Sequence, residues 1–349
     1  MSILDKNNEQ LKNEYEAFVI SHKNGSFMQS LMWPEVKKGW EWEAVYIKAK
    51  DGTIKGTALV LIRKIPFVKF NMMYVPRGPV CDFDDTDTLK KICDEIDKLA
   101  KKYNAYECIT DPYITVKDEK AVKLLQESGF ICDLNLKDEQ TVQVKDNYML
   151  FIGGRSKDEL FENSTSKCRY NTRLAIRKGV TCRIGTTDKD LDEFVKLMKI
   201  TGKRDGFVTR EKEYFKGMLD TLGEHCRLYL CECEGKTVSG AITTNYGGKA
   251  CYVYGASSNE YRNYMPNNLM QWTMIEWAVK TGCYVYDFQG IPHYKDENHP
   301  NFGMYRFKRS FNGEIVSFLG EFTHVYSKGK KNIVSFMEKC NNILLEIKK

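Results

Sequence analysis

Most residues of this chain whose types and spacing could do chemistry are cations set beside aromatic rings. The stretch "GMYRFKRSFNGE" at 303–314 places Lys308 between Phe307 and Arg309, with Tyr305 and Phe307 alternating with Arg306 and Lys308. Alternation is strand spacing, so the plain reading is a half-buried strand with a solvated basic face. The sharper reading gives Lys308 work on a substrate. At 27–43, "FMQSLMWPEVKKGWEWE" puts Lys37 and Lys38 between Trp33 and Trp40, with Trp42 following. Taken alone, an amphipathic helix with core tryptophans and solvated lysines is the simpler account of that cluster. "SKCRYNTRLAIRKGV" carries Arg169, Arg173 and Arg177 at every fourth residue, hence along one helical face. Guanidinium groups in a row suit phosphates. A solvated face whose last cations oppose the helix C-terminal partial charge is the alternative. In "RDGFVTREKEYF", Arg204 and Arg210 flank a turn and Tyr214 follows at helical spacing.

Other chemistries lack their signatures. There is no nucleophile elbow, no P-loop, no acid pair set for glycoside hydrolysis and no metal motif. The five His show no ligand spacing, and His293 and His299 fall in a polar loop without cysteine partners. None of the twelve Cys forms a CxxC pair, and most sit among apolar neighbours, as buried thiols of a reducing compartment do.

The elements that must position these residues come in two similar sets. The first runs "WEAVYIKAKDGTIKGTALVLIRKI", then "FNMMYVPRGPV", a helix "DTLKKICDEIDKLAKKYN" and the strand "AYECITDPYI". The second runs "CRLYLCECEGKTVSGAITTNYGGKACYVYGAS", a helix "NNLMQWTMIEWAVKTG" and "CYVYDFQGIP". Each opens with a hairpin turned by a charged residue and Gly, at Asp51-Gly52 and Glu234-Gly235. Each closes on a strand with an Asp near its C-terminal end, Asp111 and Asp287. A hairpin, a helix and a returning strand form one α/β layer, so the chain predicts two copies of one α/β domain. The polar segment at 134–150 reads as a connector. The final "NIVSFMEKCNNILLEIKK" places Ile333, Phe336, Met337, Cys340, Ile343, Leu344 and Ile347 at helical spacing, as a packed terminal helix would.

At 349 residues the chain suits two domains. With 42% hydrophobic and 29% charged residues, and no run of about 18 apolar residues, it reads as soluble. The polar N-terminus lacks a signal-peptide core, which predicts a cytoplasmic protein. A net charge of +6 is too small to announce nucleic-acid binding. Its distribution says more: between Arg155 and Arg183 eight basic residues face three acidic ones. The turn after the second set's central strand, "GASSNEYRNYMPNN", lacks the glycine-rich cradle that holds a coenzyme A pyrophosphate, so a different acyl donor is expected.

In order along the chain stand WxxVKxxW, a strand ending in Asp-Pro, the basic SKxRxxxRxAxR helix, TR with EYF, YxYGAS and YxFKRxFxGE. This order resembles the FemABX family of peptidoglycan bridge-forming aminoacyltransferases over nearly the whole chain. It is similar in particular to the FemX type, which lacks a coiled-coil arm. The strand before Asp111 departs from the family wording, reading "CITDPY". The resemblance implies an α/β (α+β) fold of two tandem GNAT-like domains separated by a cleft. Residues 1–145 with 316–349 would form the precursor-binding domain, and 146–315 the domain with the basic helix and the Phe-Lys pair. It implies transfer of an amino acid from aminoacyl-tRNA to the side-chain amine of the third stem-peptide residue of UDP-MurNAc-pentapeptide or lipid II, without coenzyme A or metal. By similarity Lys308 and Phe307 match the catalytic Phe-Lys pair, and Asp111 the position of a base or amine-orienting group. Lys37 and Arg210 match phosphate-binding positions, with Tyr214 and Tyr254 lining the cleft and Arg77 a further candidate. The Arg169–Arg173–Arg177 stripe would contact the tRNA backbone, an inference from charge. A cytoplasmic monomer follows, meeting the inner membrane face transiently if lipid II is the acceptor. Two other readings stand beside it: a coenzyme A-dependent N-acyltransferase of related fold, and a noncatalytic RNA- or precursor-binding protein.

Overall fold

The computed structural model describes residues 2–347, with side chains through residue 340. The chain divides into two compact units, Met1–Gln143 with Phe318–Lys349, and Val144–Ser317. In the first, the Asn8 side chain caps α1 (Glu9–Ser21) by accepting from the Leu11 amide at 3.0 Å, and the helix buries Leu11, Tyr15 and Val19. The short α2 (Trp33–Val36) precedes the antiparallel strands β1 (Glu41–Lys48) and β2 (Ile54–Lys64). Gly52 turns them at a φ of +88° that side chains disfavour. Seven consecutive buried residues, 56–62, mark β2 as covered on both faces. β3 (Asn71–Val75) pairs antiparallel with β2, and β4 (Val80–Cys81) pairs back onto it. The helix α3 (Thr86–Lys102), capped by Asp85, carries the chain over to β5 (Ala105–Thr110), parallel to β3. Then come α4 (Glu119–Glu127) and β6 (Ile131–Cys132).

The second unit begins with β7 (Asp146–Phe151). Its helices α5 (Lys157–Asn163) and α6 (Ser166–Arg177) are capped by Ser156 and Thr165. β8 (Thr181–Gly185), α7 (Asp188–Asp205) and α8 (Lys212–Leu222) lead to the hairpin of β9 (Cys226–Cys233) and β10 (Lys236–Tyr246). Glu234 and Gly235 both have positive φ, the geometry that a tight hairpin turn needs. Gly247 and Gly248 turn β10 into β11 (Lys249–Ser257) the same way. The helix α9 (Pro266–Lys280) buries Met270, Met274, Ile275, Trp277 and Ala278, and crosses over to β12 (Val285–Gly290), parallel to β11. α10 (Phe302–Arg309) and β13 (Glu314–Ser317) complete the unit, whose sheet runs β13-β7-β12-β11-β10-β9-β8. The chain then returns to the first unit: β14 (Phe322–Val325) lies between β5 and β6, giving the order β1-β2-β3-β5-β14-β6. α11 (Lys328–Ile347) follows.

The repeated α/β layer is therefore real: β1-β2-β3-α3-β5 and β9-β10-β11-α9-β12 share one connectivity. Four local expectations are corrected. Residues 302–309 form a helix, not a strand, and the buried member is Lys308. The helix in the tryptophan cluster is only the four residues of α2, and Trp42 belongs to β1. The connector stops at 145, since 146–151 form β7 between two partners. Among the described side chains of α11 the buried residue is Val334, whereas Ile333 and Phe336 are 48% and 68% exposed. Ile343, Leu344 and Ile347 lie outside the described side chains. All twelve Cys are free thiols.

Candidate active site

The first unit contributes a site centred on a carboxyl group. Asp111 follows the last residue of β5 and is fully buried. One oxygen accepts from the Arg77 amide at 2.5 Å and the other from the Tyr74 hydroxyl at 2.7 Å. Burial raises its pKa from the ordinary carboxylate value, although the Arg77 charge and both hydrogen bonds oppose the shift. Glu321, also buried, accepts from the Val142 amide and is raised by burial, with Asp111 adding repulsion. Arg77 has φ +51°, and its guanidinium lies over the rings of Tyr113 and Phe318 at 5.2 and 5.7 Å. Gln29 braces the turn that carries it: its amide donates to the Pro76 carbonyl at 2.7 Å and accepts from the Leu59 amide at 2.8 Å. A Cβ on Gly78 would lie 2.6 Å from the Gln29 side chain, so the bracing demands glycine there. Lys37 is separate in the chain fold, at the C-terminal end of α2 with its ammonium 5.1 Å from the Trp33 ring centre.

The second unit contributes a site centred on an ammonium. α10 turns Lys308 inward, leaving it 4% exposed while Arg306 and Arg309 stay exposed. Its Nζ donates to the Gly290 carbonyl at 2.7 Å and to the Gln289 carbonyl at 3.3 Å, at the end of β12. Those bonds use two of three N–H donors. Burial lowers the ammonium to about 8, with the charge of Asp287 opposing. Asp287 in turn fixes the backbone that holds the lysine, accepting from the Gln289 amide at 2.7 Å, the Gln289 side chain at 3.1 Å and Asn147 at 3.0 Å. Gln289 adopts φ +63°, which points successive carbonyls toward Lys308. Lys249, on the strand beside Asp287, is likewise lowered to about 8 by burial. Phe307 is half-buried, edge-on to Phe311 at 5.5 Å.

Arg210, Tyr214 and Tyr254 come together. The Tyr254 hydroxyl donates to that of Tyr214 at 3.2 Å, and the exposed Arg210 lies 5.4 Å from the Tyr214 ring centre. Burial raises the Tyr214 phenol above its ordinary value, and Tyr254 adds to the shift. The arginine stripe divides. Arg169 donates to the Glu162 carbonyl at 2.7 Å and to the Ser164 carbonyl, closing the end of α5. Arg173 pairs with Glu162 at 3.4 Å, and Arg177 lies over Tyr170 at 5.7 Å. Arg204 is held by Asp205 and the Ser257 carbonyl. Among the described residues no group of three His, Cys, Asp or Glu side chains could hold a metal. A surface cleft of about 340 Å³ between Gly185–Asp188 and Lys216–Asp220 contains none of the residues above.

Sequence reasoning missed Tyr74, Glu321, Gln289, Asn147 and Lys249. Tyr74 sits in a strand like any core tyrosine, and its polar tip gains meaning only from the parallel pairing of β3 with β5. Asp287 was visible as the counterpart of Asp111 in the repeat, though not as a partner of Lys308.

A model of the FemAB family matches residues 11–246 and 234–339. The lipid II:glycine glycyltransferase of Staphylococcus haemolyticus (strain JCSC1435) is 30% identical, over 90% of this chain and 91% of that protein. The protein of the same name from Staphylococcus aureus (strain USA300) is 29% identical over the same shares. The crystal structure of FemX superposes with a TM-score of 0.85 at 27% identity, covering 96% of this chain and all of that one. A tandem GNAT protein from the clavulanic acid biosynthesis pathway shares the fold, with a TM-score of 0.55 at 10% identity over 92% and 96% of the two chains.

Proposed function

This chain belongs to the FemAB family, and from that premise we propose that it is a non-ribosomal peptidyltransferase that moves an amino acid from aminoacyl-tRNA to the side-chain amine of the third stem-peptide residue of a peptidoglycan precursor. The names of its relatives favour lipid II as the acceptor over UDP-MurNAc-pentapeptide. The observation that carries the reading is Lys308, a cation withdrawn from water and aimed by two backbone carbonyls. An isolated buried ammonium is unfavourable, and a role in stabilising negative charge accounts for its being there.

The chemistry needs no protein nucleophile, because the tRNA ester is already activated. The acceptor amine forms a C–N bond to the ester carbonyl, giving a tetrahedral oxyanion. As it collapses, the ester C–O bond breaks and the terminal ribose hydroxyl leaves with a proton. Aligning the two groups reduces the entropic barrier. Lys308 directs its remaining N–H at the oxyanion, and Phe307 stacks the tRNA end. Asp111 orients the amine or accepts its proton; its raised pKa makes it a better base than an ordinary carboxylate. Arg77 serves Asp111, holding its turn and balancing its charge. Lys37 and Arg210 bind the precursor phosphates, with Tyr214 and Tyr254 beside Arg210. Arg173 and Arg177, the outward part of the stripe, contact the tRNA backbone. No coenzyme A takes part.

The test incubates the purified chain with a panel of charged tRNAs and either lipid II or UDP-MurNAc-pentapeptide. An aminoacylated precursor, seen by mass spectrometry, is expected with at least one combination. Its absence from all of them sinks the proposal.

A further inference from the structure

The two copies of the α/β layer differ most at their second hairpin. In the second unit two glycines, Gly247 and Gly248, join β10 to β11. The equivalent connection in the first unit, between β2 and β3, takes six residues, 65–70, "IPFVKF". At its tip Phe67 is 100% exposed, with a φ of +66° that bulky side chains rarely adopt. Hairpin closure therefore does not explain the loop, and packing does not explain the ring.

The base of the loop joins α11. Ile65, Tyr106 and Val334 form a small buried cluster, with Val68, Phe70 and Met72 packed against it. The Lys330 ammonium lies 5.7 Å from the Phe70 ring centre. α11 seats Val334 there and leaves Ile333 and Phe336 facing out. The exposed apolar groups of loop and helix thus adjoin one cluster. Cations surround them. Lys64 and Lys331 pair with Glu41 and Glu107, at 2.6 and 2.8 Å. That leaves Arg63, Lys69, Lys330 and Lys339 against Glu338.

We propose that loop 65–70 and the outward side of α11 form a docking patch for an anionic lipid surface, with Phe67 and Phe336 entering the headgroup boundary and the cations meeting lipid phosphates. Exposed rings rimmed by lysine and arginine fit that surface on both counts. A second copy fits worse, since a two-fold contact would set the same cations against each other. No described helix is long and apolar enough to cross a membrane, so the contact lies in the interface. The inference rests on the reading that the acceptor is lipid-linked.

The full chain is sedimented with vesicles of phosphatidylcholine alone, or mixed equally with phosphatidylglycerol. It should pellet with the mixed vesicles and not with phosphatidylcholine alone. Phe67→Ser and Phe336→Ser should each weaken binding about tenfold, the effect of removing one buried aromatic side chain. Phe67 is fully exposed, so its replacement unpacks nothing; Phe67→Trp should show a blue-shifted emission only with mixed vesicles. Transfer to UDP-MurNAc-pentapeptide should be unchanged in Phe67→Ser. Failure to pellet, equal binding by the serine variants, an unshifted emission, or a dimer dissolved by Phe336→Ser would each overturn the patch. Vesicle binding without transfer to any acceptor would overturn the proposed activity and leave the patch standing.

Discussion

Asp111 and Asp287 stand on the matching strands of the two units, Asp111 just after β5 and Asp287 within β12, and their surroundings differ. Asp111 accepts from a backbone amide and a tyrosine hydroxyl, has a second buried carboxylate in Glu321 nearby, and is pushed toward its neutral form. Asp287 fixes the carbonyls that hold Lys308, and its charge favours the lysine's charged form. The matching strands thus carry one carboxyl pushed toward its neutral form and one that braces the backbone holding a buried cation. The fold fixes where a carboxylate stands, and its neighbours decide what it does.

That contrast breaks most sharply at Lys308. Lys308→Met should lower the transfer rate about 10²–10³-fold, the usual loss of one oxyanion donor, with precursor affinity kept in a binding assay. Asp111→Asn should lower it about 10²-fold in the same assay, at the lower end of a general base's contribution. If its loss matches that of Lys308→Met at every pH, the division of labour is wrong. Lys37→Ala and Arg210→Ala should each weaken precursor affinity about tenfold, measured by calorimetry, a modest effect for solvated cations on phosphate. Unchanged affinity in both removes the phosphate assignment.

The pH profile sharpens the comparison further. Activity should fall below the raised pKa of Asp111 and again above about 8, as Lys308 loses its proton. Asp287→Asn removes the charge that favours the ammonium, so the alkaline limb should move to lower pH by roughly one unit. The smallest effect is on stability. Lys308 has a lowered pKa when folded, so between about 8 and its unfolded value the unfolded chain binds more protons and stability rises with pH. Denaturation in urea should show the native chain gaining about 1 kcal/mol on Lys308→Met between pH 8 and 9.

Much of the scaffold was legible. Asp51-Gly52 and Glu234-Gly235 announced the hairpins because those turns need residues tolerant of positive φ. The repeat was visible because its strands and helices keep their periods. α10 was misread for a physical reason: its most buried residue is a lysine, so no apolar stripe marks the helix. In α11 two members of the stripe, Ile333 and Phe336, face outward while their neighbour Val334 is buried, and periodicity does not tell which side of a helix meets the core. Within the site, Arg210, Tyr214 and Tyr254 were legible as a group. The pairings of Tyr74 with Asp111 and of Gln289 with Lys308 arise from contacts across strands and elements that spacing does not encode.

The placement of β14 has a consequence for synthesis. A ribosome makes the second unit as one uninterrupted stretch, Val144–Ser317, able to close its sheet as soon as it emerges. The first unit, begun earlier, has an empty slot between β5 and β6 until residues 322–325 appear. The N-terminal unit is therefore the last to finish folding. A message or chain cut short after residue 317 yields a complete second unit and a first unit with two open strand edges, the form that chaperones and proteases would meet.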